Sequence, residues 1–303
     1  MTDIDILDPR FAPVVAGNPK LEKLATGAIW SEGPVWIAED DSVLWSDIPN
    51  DRMLRWSARD GMRVWRDKVE FTNGHTRDRD GSILHCSHGL RAVFRTNVDG
   101  SNQRIVVDRW QGKRFNAPND IVVKSDGTIW FTDPPYGLIV PEEGHGGESE
   151  IGDCYVFRFD PAGGALDPVT ALPEHPNGLA FSPDESILYV SDTSGALPGQ
   201  GENHCIFAFD VVGGRELKNG RVFAQISPGV PDGFRVDVNG WIYTSALDGV
   251  HVYAPDGTKL GRIGVPEKVG NVTFGGAKRD TLYIAASSSL YRIVLRTAGV
   301  QEP

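Results

Sequence analysis

The sequence predicts an all-β protein, a six-bladed β-propeller with four-stranded antiparallel blades and a ring closed by an N-terminal strand. Three observations support this fold class. A turn followed by a short β-forming stretch recurs six times, a polar residue leading into another apolar stretch precedes each copy, and the whole unit repeats about every 40 to 55 residues, a spacing typical of propeller blades. The 35 Gly, 20 Pro and 8 Trp agree with a turn-rich β protein.

The first recurring element is a tight-turn signal that runs into alternating aromatic and β-branched residues. This pattern is typical of the second strand of a β-hairpin. Most copies are followed by two further strand-like stretches, which gives four strands in each unit. The six copies occupy residues 41–47, 80–87, 126–133, 184–192, 239–245 and 279–286.

The second recurring element begins with a carboxylate or carboxamide residue. Because the innermost strand of each propeller blade lines the central channel, we expect these six side chains to converge on the axis. We call them the axis residues: Glu32, Asn73, Asn119, Asn177, Asp232 and Asn271.

The two ends of the chain are expected to share the last blade. The sixth unit provides three strands, and residues 21–29 can supply the fourth. This pairing would leave no open sheet edge. We therefore predict one propeller domain over residues 1–303, with residues 1–20 as an N-terminal extension and the Gly- and Pro-rich residues 134–152 as a long loop over one face.

The axis residues predict a divalent metal site in the channel. Carboxylate and amide oxygens suit a hard cation, so Ca²⁺ or Mg²⁺ is favoured over Zn²⁺. The alternative is that Asn and Asp form turns before Gly, which accounts for Asn73, Asn177 and Asp232 but not for Glu32. We predict Ca²⁺ as the ion, with Mg²⁺, Mn²⁺ or Zn²⁺ left open. The predicted ligands are Glu32, Asn119, Asn177 and Asp232.

Several motifs resemble the SMP-30/gluconolactonase/luciferin-regenerating enzyme family. They are SEGPVW (31–36), LWSD (44–47), TNGH (72–75), APND (117–120), WFTDPPY (130–136), PNG (176–178) and PDG (231–233). The resemblance covers nearly the whole chain, and two of the motifs are similar to the microbial gluconolactonase branch. It implies a calcium-dependent six-bladed propeller that hydrolyses a sugar lactone, as in the conversion of D-glucono-1,5-lactone to D-gluconate.

The resemblance also implies roles for individual residues. Glu32, Asn177 and Asp232 would be metal ligands, Asn119 a fourth ligand or a substrate contact, and Asp232 the proton acceptor. The animal members of the family place an arginine two residues before the position of Asn119, where this chain has Ala117. That substrate contact is therefore absent here or supplied by another residue.

Further candidates follow from position along the chain. Asp120 is a second candidate for the catalytic base, although strand alternation could turn it away from the axis. His75 could contact the substrate, relay a proton, or pack in the core. Asn73 and Tyr136 are predicted substrate contacts.

Three aspartates end equivalent strands and are expected to cap turns, with a second metal site at Asp133 as the alternative. They are Asp47, Asp133 and Asp192.

Metal-dependent lactone hydrolysis is the function we expect from the sequence. One alternative is hydrolysis of a phosphotriester or fluorophosphate on the same scaffold, since both substrates need a polarising cation. Another is a non-enzymatic propeller that binds a protein through one face. Oxygen ligands along the axis count against the second alternative, because a structural propeller has no need of them.

Charge, N-terminal sequence and cysteine spacing predict the class of partner, the location of the protein and the state of its thiols. A net charge of −11 argues against nucleic acid or an anionic membrane as a partner. The resemblance implies a small-molecule sugar lactone as the partner, and we expect a monomer or homodimer. The N-terminus lacks the basic start and apolar core of a signal peptide, which predicts a cytoplasmic protein. The three cysteines lack metal-ligand spacing and are expected to be free thiols: Cys86, Cys154 and Cys205.

Overall fold

Six antiparallel sheets are arranged as blades around a central axis, and the computed structural model describes residues 3–300. In every blade the innermost strand packs against the innermost strands of the adjacent blades. This architecture confirms the predicted six-bladed β-propeller. From the axis outward, the strands are Ser31–Ile37, Ser42–Asp47, Arg52–Ser57 and Gly61–Asp67 in blade 1; Thr72–Arg77, Ile83–Ser87, Ala92–Thr96 and Arg104–Val107 in blade 2; Ile121–Val123, Ile129–Asp133, Tyr155–Asp160 and Ala165–Thr170 in blade 3; Pro176–Phe181, Ile187–Asp192, Cys205–Val212 and Glu216–Gln225 in blade 4; Phe234–Val236, Ile242–Ala246, Gly249–Tyr253 and Lys259–Gly264 in blade 5; and Val269–Gly275, Thr281–Ala286, Ser289–Val294 and Glu22–Thr26 in blade 6.

A few short elements lie outside the blades. No helix within residues 3–300 is long and apolar enough to cross a membrane. The short elements are the paired strands Arg109–Trp110 and Lys113–Arg114, the 3₁₀ helices Pro9–Phe11, Ala38–Asp40, Ile48–Asn50 and Ser194–Ala196, and the α-helix Tyr136–Ile139.

The hydrophobic core is divided among the blade interfaces. Six clusters of buried apolar side chains each join two adjacent blades. At the interface of blades 5 and 6, for example, the ring of Tyr243 meets that of Phe274 edge to face at 5.2 Å. All three cysteines are free, as predicted, and Cys86 and Cys205 are buried in these clusters.

The ring is closed by an N-terminal strand, as the sequence predicts. Glu22–Thr26 pairs antiparallel with Ser289–Val294, with Thr26 opposite Ser289. Residues 3–20 also pack on the blades. Ile4–Ile6 adds a fifth strand to blade 5, and the guanidinium of Arg262 forms ion pairs with Asp3 and Asp5 there.

Glycines that follow the axis residues let neighbouring innermost strands touch. Gly74 donates its N–H to the carbonyl of Asn119 at 2.8 Å, and a Cβ at Gly74 would lie 2.4 Å from that oxygen. A Cβ at Gly233 would lie 1.9 Å from Cγ of Asn271. These glycines are therefore required by close approach between blades. The turn-forming alternative does not apply to Asn73, which lies inside the strand Thr72–Arg77.

The three strand-ending aspartates hold the loops that lead into innermost strands. Asp47 accepts the N–H of Ile29 at 2.8 Å, and Asp192 accepts that of Glu174 at 2.7 Å. Asp133 accepts the N–H groups of Asn116 and Ala117, both at 2.8 Å. The predicted capping role is confirmed. Both oxygens of Asp133 are engaged in this way, which leaves the alternative of a second metal site there without support.

Candidate functional site

A cavity of about 230 Å³ opens at the end of the channel where the innermost strands begin. The fold brings together most of the predicted site residues here, because strands from five blades start at this level. Six of the residues that line the cavity were predicted from the sequence: Glu32, Asn73, Asn119, Asn177, Asp232 and Tyr136.

Glu32 is a buried carboxylate that accepts hydrogen bonds through only one of its two oxygens among the described residues. It is 3% exposed, and its Oε2 accepts hydrogen bonds from the N–H of Gly33 at 2.8 Å and from Nδ2 of Asn271 at 3.2 Å. Its Oε1 has no hydrogen-bond partner among the described residues. Burial, and then the charge of Asp232, raise the pKa of Glu32 well above its usual value. The sixth axis residue, Asn271, thus supports Glu32 and does not line the cavity.

Asp232 is the second carboxylate of the cavity, and it is partly buried. Burial raises its pKa to about 6, while the charge of Lys268 and a side-chain hydrogen bond from Asn177 act in the opposite direction. Its backbone is held on both sides: its N–H donates to Oγ of Ser245 at 2.7 Å, and its carbonyl accepts from Oγ of Ser191 at 2.7 Å. The backbone that carries this carboxylate is therefore fixed beside the cavity.

The donor set of this cavity fits a hard divalent cation. A buried and a partly buried carboxylate that line one cavity repel each other unless a positive charge balances them, and Oε1 of Glu32 has no hydrogen-bond partner among the described residues. Within residues 3–300 no three His, Cys, Asp or Glu side chains are grouped to hold a metal. Further ligands would therefore be amide oxygens, which Ca²⁺ accepts readily and Zn²⁺ does not.

Hydrogen bonds hold two of the three cavity asparagines, Asn73 and Asn177. Nδ2 of Asn73 lies 3.4 Å from Nε2 of His88, whose Nδ1 donates to the carbonyl of Glu143 at 2.9 Å. Burial lowers the pKa of His88 to about 4, so the ring is neutral and Nε2 is an acceptor at neutral pH. The carbonyl of Asn177 accepts from Oγ1 of Thr132 at 2.7 Å.

The loop at 134–152 packs down over the cavity. A Cβ at Gly137 would lie 2.6 Å from Cβ of His88, and one at Gly144 would lie 2.2 Å from the carbonyl oxygen of Gly137. This close packing brings Tyr136 and Glu143 to the cavity wall. Burial keeps the Tyr136 phenol neutral, because it raises its pKa well above the usual value.

His75 lies outside the cavity, deeper along the innermost strand of blade 2. Its Nε2 is 2.9 Å from Oγ of Ser46, and its Nδ1 is 2.8 Å from Nδ1 of His85. Burial lowers its pKa to about 3, so the ring is neutral. His75 lines a separate small cavity at the opposite end of the channel together with Arg77 and Arg235.

Asp120 is also placed outside the cavity, although it follows Asn119 directly. It is 1% exposed, its Oδ1 accepts the N–H of Ile121 at 2.8 Å, and its Oδ2 accepts from Nη1 of Arg235 at 3.2 Å. The strand turns this side chain away from the mouth, as one of the two sequence alternatives anticipated.

Eight residues of the cavity wall were not singled out by the sequence analysis, and they include Trp30, Glu143 and Lys268. The ammonium of Lys268 lies 4.8 Å from the centre of the Trp30 ring. Burial, and then the charge of Asp232, raise the pKa of Glu143 to about 7. Trp30 and Lys268 stand just before the innermost strands of blades 1 and 6, and that position was the available signal. Glu143 could be placed only as part of the long loop.

Comparison with known proteins agrees with this geometry. A sequence model described as the SMP-30/Gluconolactonase/LRE-like region matches residues 30–288. This chain belongs to that family. A gluconolactonase of Zymomonas mobilis is 35% identical over 96% of this chain and 85% of its own length, and the pentonolactonase XacC of Haloferax volcanii is 30% identical over 84% and 81%. The solved structure of a gluconolactonase from Xanthomonas campestris superposes with a TM-score of 0.89 at 39% identity, covering 97% of this chain and 96% of that chain.

Proposed function

We propose that this protein is a metal-dependent lactonase that opens a sugar lactone with water, as D-glucono-1,5-lactone is opened to D-gluconate. The observation that carries the proposal is the pair of Glu32, buried and with one oxygen unpartnered among the described residues, and the partly buried Asp232, which line one cavity of about 230 Å³. The gluconolactonase and pentonolactonase relatives favour a lactone over a phosphotriester as the substrate.

The cation would be held by Glu32, Asp232, Asn177 and Asn119, and Ca²⁺ is the ion that this oxygen donor set fits best. When bound, it would supply Lewis acidity that polarises the lactone carbonyl and stabilises negative charge on its oxygen.

The chain's own residues would bind the sugar and move the protons. Asn73, Asn119 and Tyr136 offer amide and phenol groups to the substrate hydroxyls. Asp232 accepts a proton from water as the water oxygen bonds to the carbonyl carbon. The ring C–O bond then breaks, and the ring oxygen leaves as a hydroxyl after taking up the proton that Asp232 had accepted. The proposal gives no substrate contact to His75 or Asp120, because both lie outside the cavity.

Hydrolysis of D-glucono-1,5-lactone, followed with a pH indicator, tests the proposal. Chelator-treated protein should be inactive, and added Ca²⁺ should restore turnover. Glu32→Gln should remain inactive with Ca²⁺ while its far-UV circular dichroism is unchanged. Full activity after complete chelation would show that the mechanism is wrong.

A further inference from the structure

A buried ion pair crosses the channel beneath the cavity. Nη1 of Arg235 lies 3.2 Å from Oδ2 of Asp120, with the two side chains 4% and 1% exposed. Asp120 belongs to blade 3 and Arg235 to blade 5, with blade 4 between them around the ring. The contact therefore joins two blades that are not adjacent.

Each partner lies close in sequence to a proposed metal ligand. Asp120 directly follows Asn119, and Arg235 lies three residues after Asp232 on the same innermost segment. A shift of either charged side chain would move the backbone that carries a ligand. The pair thus ties Asn119 and Asp232 to one another through the interior of the ring.

Both partners are themselves held by the backbone. Oδ1 of Asp120 accepts the N–H of Ile121 at 2.8 Å, and Nη1 of Arg235 also donates to the carbonyl of Phe234 at 2.8 Å. Oγ1 of Thr132 connects a third ligand strand, since it accepts the N–H of Asp120 at 3.1 Å and donates to the carbonyl of Asn177 at 2.7 Å. The network therefore reaches the backbone near three of the four proposed ligands.

The burial of this ion pair indicates a role other than stabilising the fold. Removing two charges from water costs about as much as their attraction returns, so apolar side chains of similar volume would serve a purely structural role equally well. A residue behind a metal site commonly orients the ligands, and its loss weakens metal binding about 10- to 100-fold.

We propose that Asp120 and Arg235 are positioning residues that set the separation of Asn119 and Asp232 and thereby the affinity of the cavity for its cation. The inference rests on the proposed function, because it concerns the same metal site. It assigns to Asp120 a role through Arg235 and not a contact with the substrate.

Calcium binding measured by isothermal titration calorimetry on chelator-treated full-length protein tests this inference. Positioning predicts that Asp120→Asn, Arg235→Met and Arg235→Lys each raise the Kd for Ca²⁺ at least about tenfold. The double variant Asp120→Asn/Arg235→Met should have a Kd for Ca²⁺ no higher than that of whichever single variant binds Ca²⁺ more weakly. The matched control is Arg55→Met, which removes another buried guanidinium, paired with Asp40 in blade 1 away from the channel. Its Kd should stay within about twofold of the wild type.

An effect of charge alone gives a different pattern. Removal of the Arg235 cation would then tighten Ca²⁺ binding, removal of the Asp120 anion would weaken it, and Arg235→Lys would leave it unchanged. That pattern, or unchanged Kd values in all variants, would overturn the inference while leaving the proposed function intact. A wild-type protein that binds no Ca²⁺ would overturn both. Arg235→Lys keeps the charge and decides the question even if Arg235→Met does not fold. In variants that retain activity, positioning predicts that kcat falls, that added Ca²⁺ restores it, and that KM is unchanged.

Discussion

Glu32 and Asp232 line one cavity, and the charge of Asp232 adds to the effect of burial in raising the pKa of Glu32. Two neighbouring anions shielded from water destabilise the protein unless a cation balances them. The predictions below concern these two carboxylates and other residues that line the cavity or the channel.

Calcium should stabilise the wild-type protein and not Glu32→Gln. At a free concentration 100 times its Kd, a ligand adds about 2.7 kcal/mol, or roughly 5 °C in Tm. Without metal, Glu32→Gln should melt at or above the wild-type temperature, since it removes one of two repelling charges. Differential scanning calorimetry with and without Ca²⁺ measures both effects. Glu216→Gln, at an exposed strand end, is the control. An equal rise in Tm for Glu32→Gln would contradict the ligand assignment.

Calcium binding should release protons near pH 6 and tighten as the pH rises. The folded pKa values of Glu32 and Asp232 are raised, that of Asp232 to about 6, so protons compete with the cation below that pH. Titration calorimetry in buffers of different ionisation enthalpy counts the released protons. The part of this number that Asp232 contributes should fall as the pH rises above about 6. Proton uptake on binding would show that the sign is wrong.

Lys268 should select for hydroxylated lactones. Its ammonium is the one cation among the side chains that the structure places around the cavity, and it stands over Trp30 where it can donate to substrate hydroxyls. We expect Lys268→Met to raise KM for glucono-1,5-lactone about tenfold. Because Lys268 lowers the pKa of Asp232, the acid limb of the kcat/KM profile should also move to higher pH. Lys278→Met, at an exposed lysine, is the control.

Neutral burial of His75 should make folding stability depend on pH. Its folded pKa of about 3 lies below the unfolded value near 6.5, so its contribution is complete above pH 6.5 and is lost as the pH falls. Between pH 7 and pH 5 the wild type should lose about 2 kcal/mol more than His75→Gln. Urea unfolding at both pH values gives this difference. Identical losses in the two proteins would assign the acid sensitivity to other groups.

Gly233→Ala should disrupt the ring where Gly163→Ala does not. A Cβ at Gly233 would lie 1.9 Å from Cγ of Asn271, which supports Glu32, whereas one at Gly163 would lie 3.6 Å from its nearest neighbour in Asp160. We expect a loss of about 1 to 3 kcal/mol or more for Gly233→Ala, and a change within about 1 kcal/mol for Gly163→Ala. Thermal melts and Ca²⁺ titrations check both variants.

The fold was predictable because each blade repeats the same local pattern. A turn, an alternating strand and a polar residue at the start of the innermost strand are short-range features, so six copies could be aligned without a structure. The same regularity predicted that Glu32 and Asp232 meet although they lie 200 residues apart in the sequence.

The remaining parts of the site depend on distances that a repeat does not encode. The sequence left open whether His75 contacts the substrate or packs in the core, and a repeat pattern does not show the register shift between Thr72 and His75. Lys268 and Glu143 reach the cavity from segments outside the innermost strands, where loop packing decides which side chain points inward. The sequence could not decide whether Asp120 is a catalytic base or is turned away from the axis, since its partner Arg235 lies 115 residues away.

Closure of the ring by Glu22–Thr26 has a consequence for biosynthesis. Thr26 leaves the ribosome 263 residues before its partner Ser289, so the sixth blade stays incomplete until the strand Ser289–Val294 has been synthesised. The first five blades can fold as the chain emerges, while the N-terminal strand waits unpaired. Because blade 6 contributes Lys268 to the cavity wall and Asn271 behind Glu32, the cavity would be completed only after those five blades.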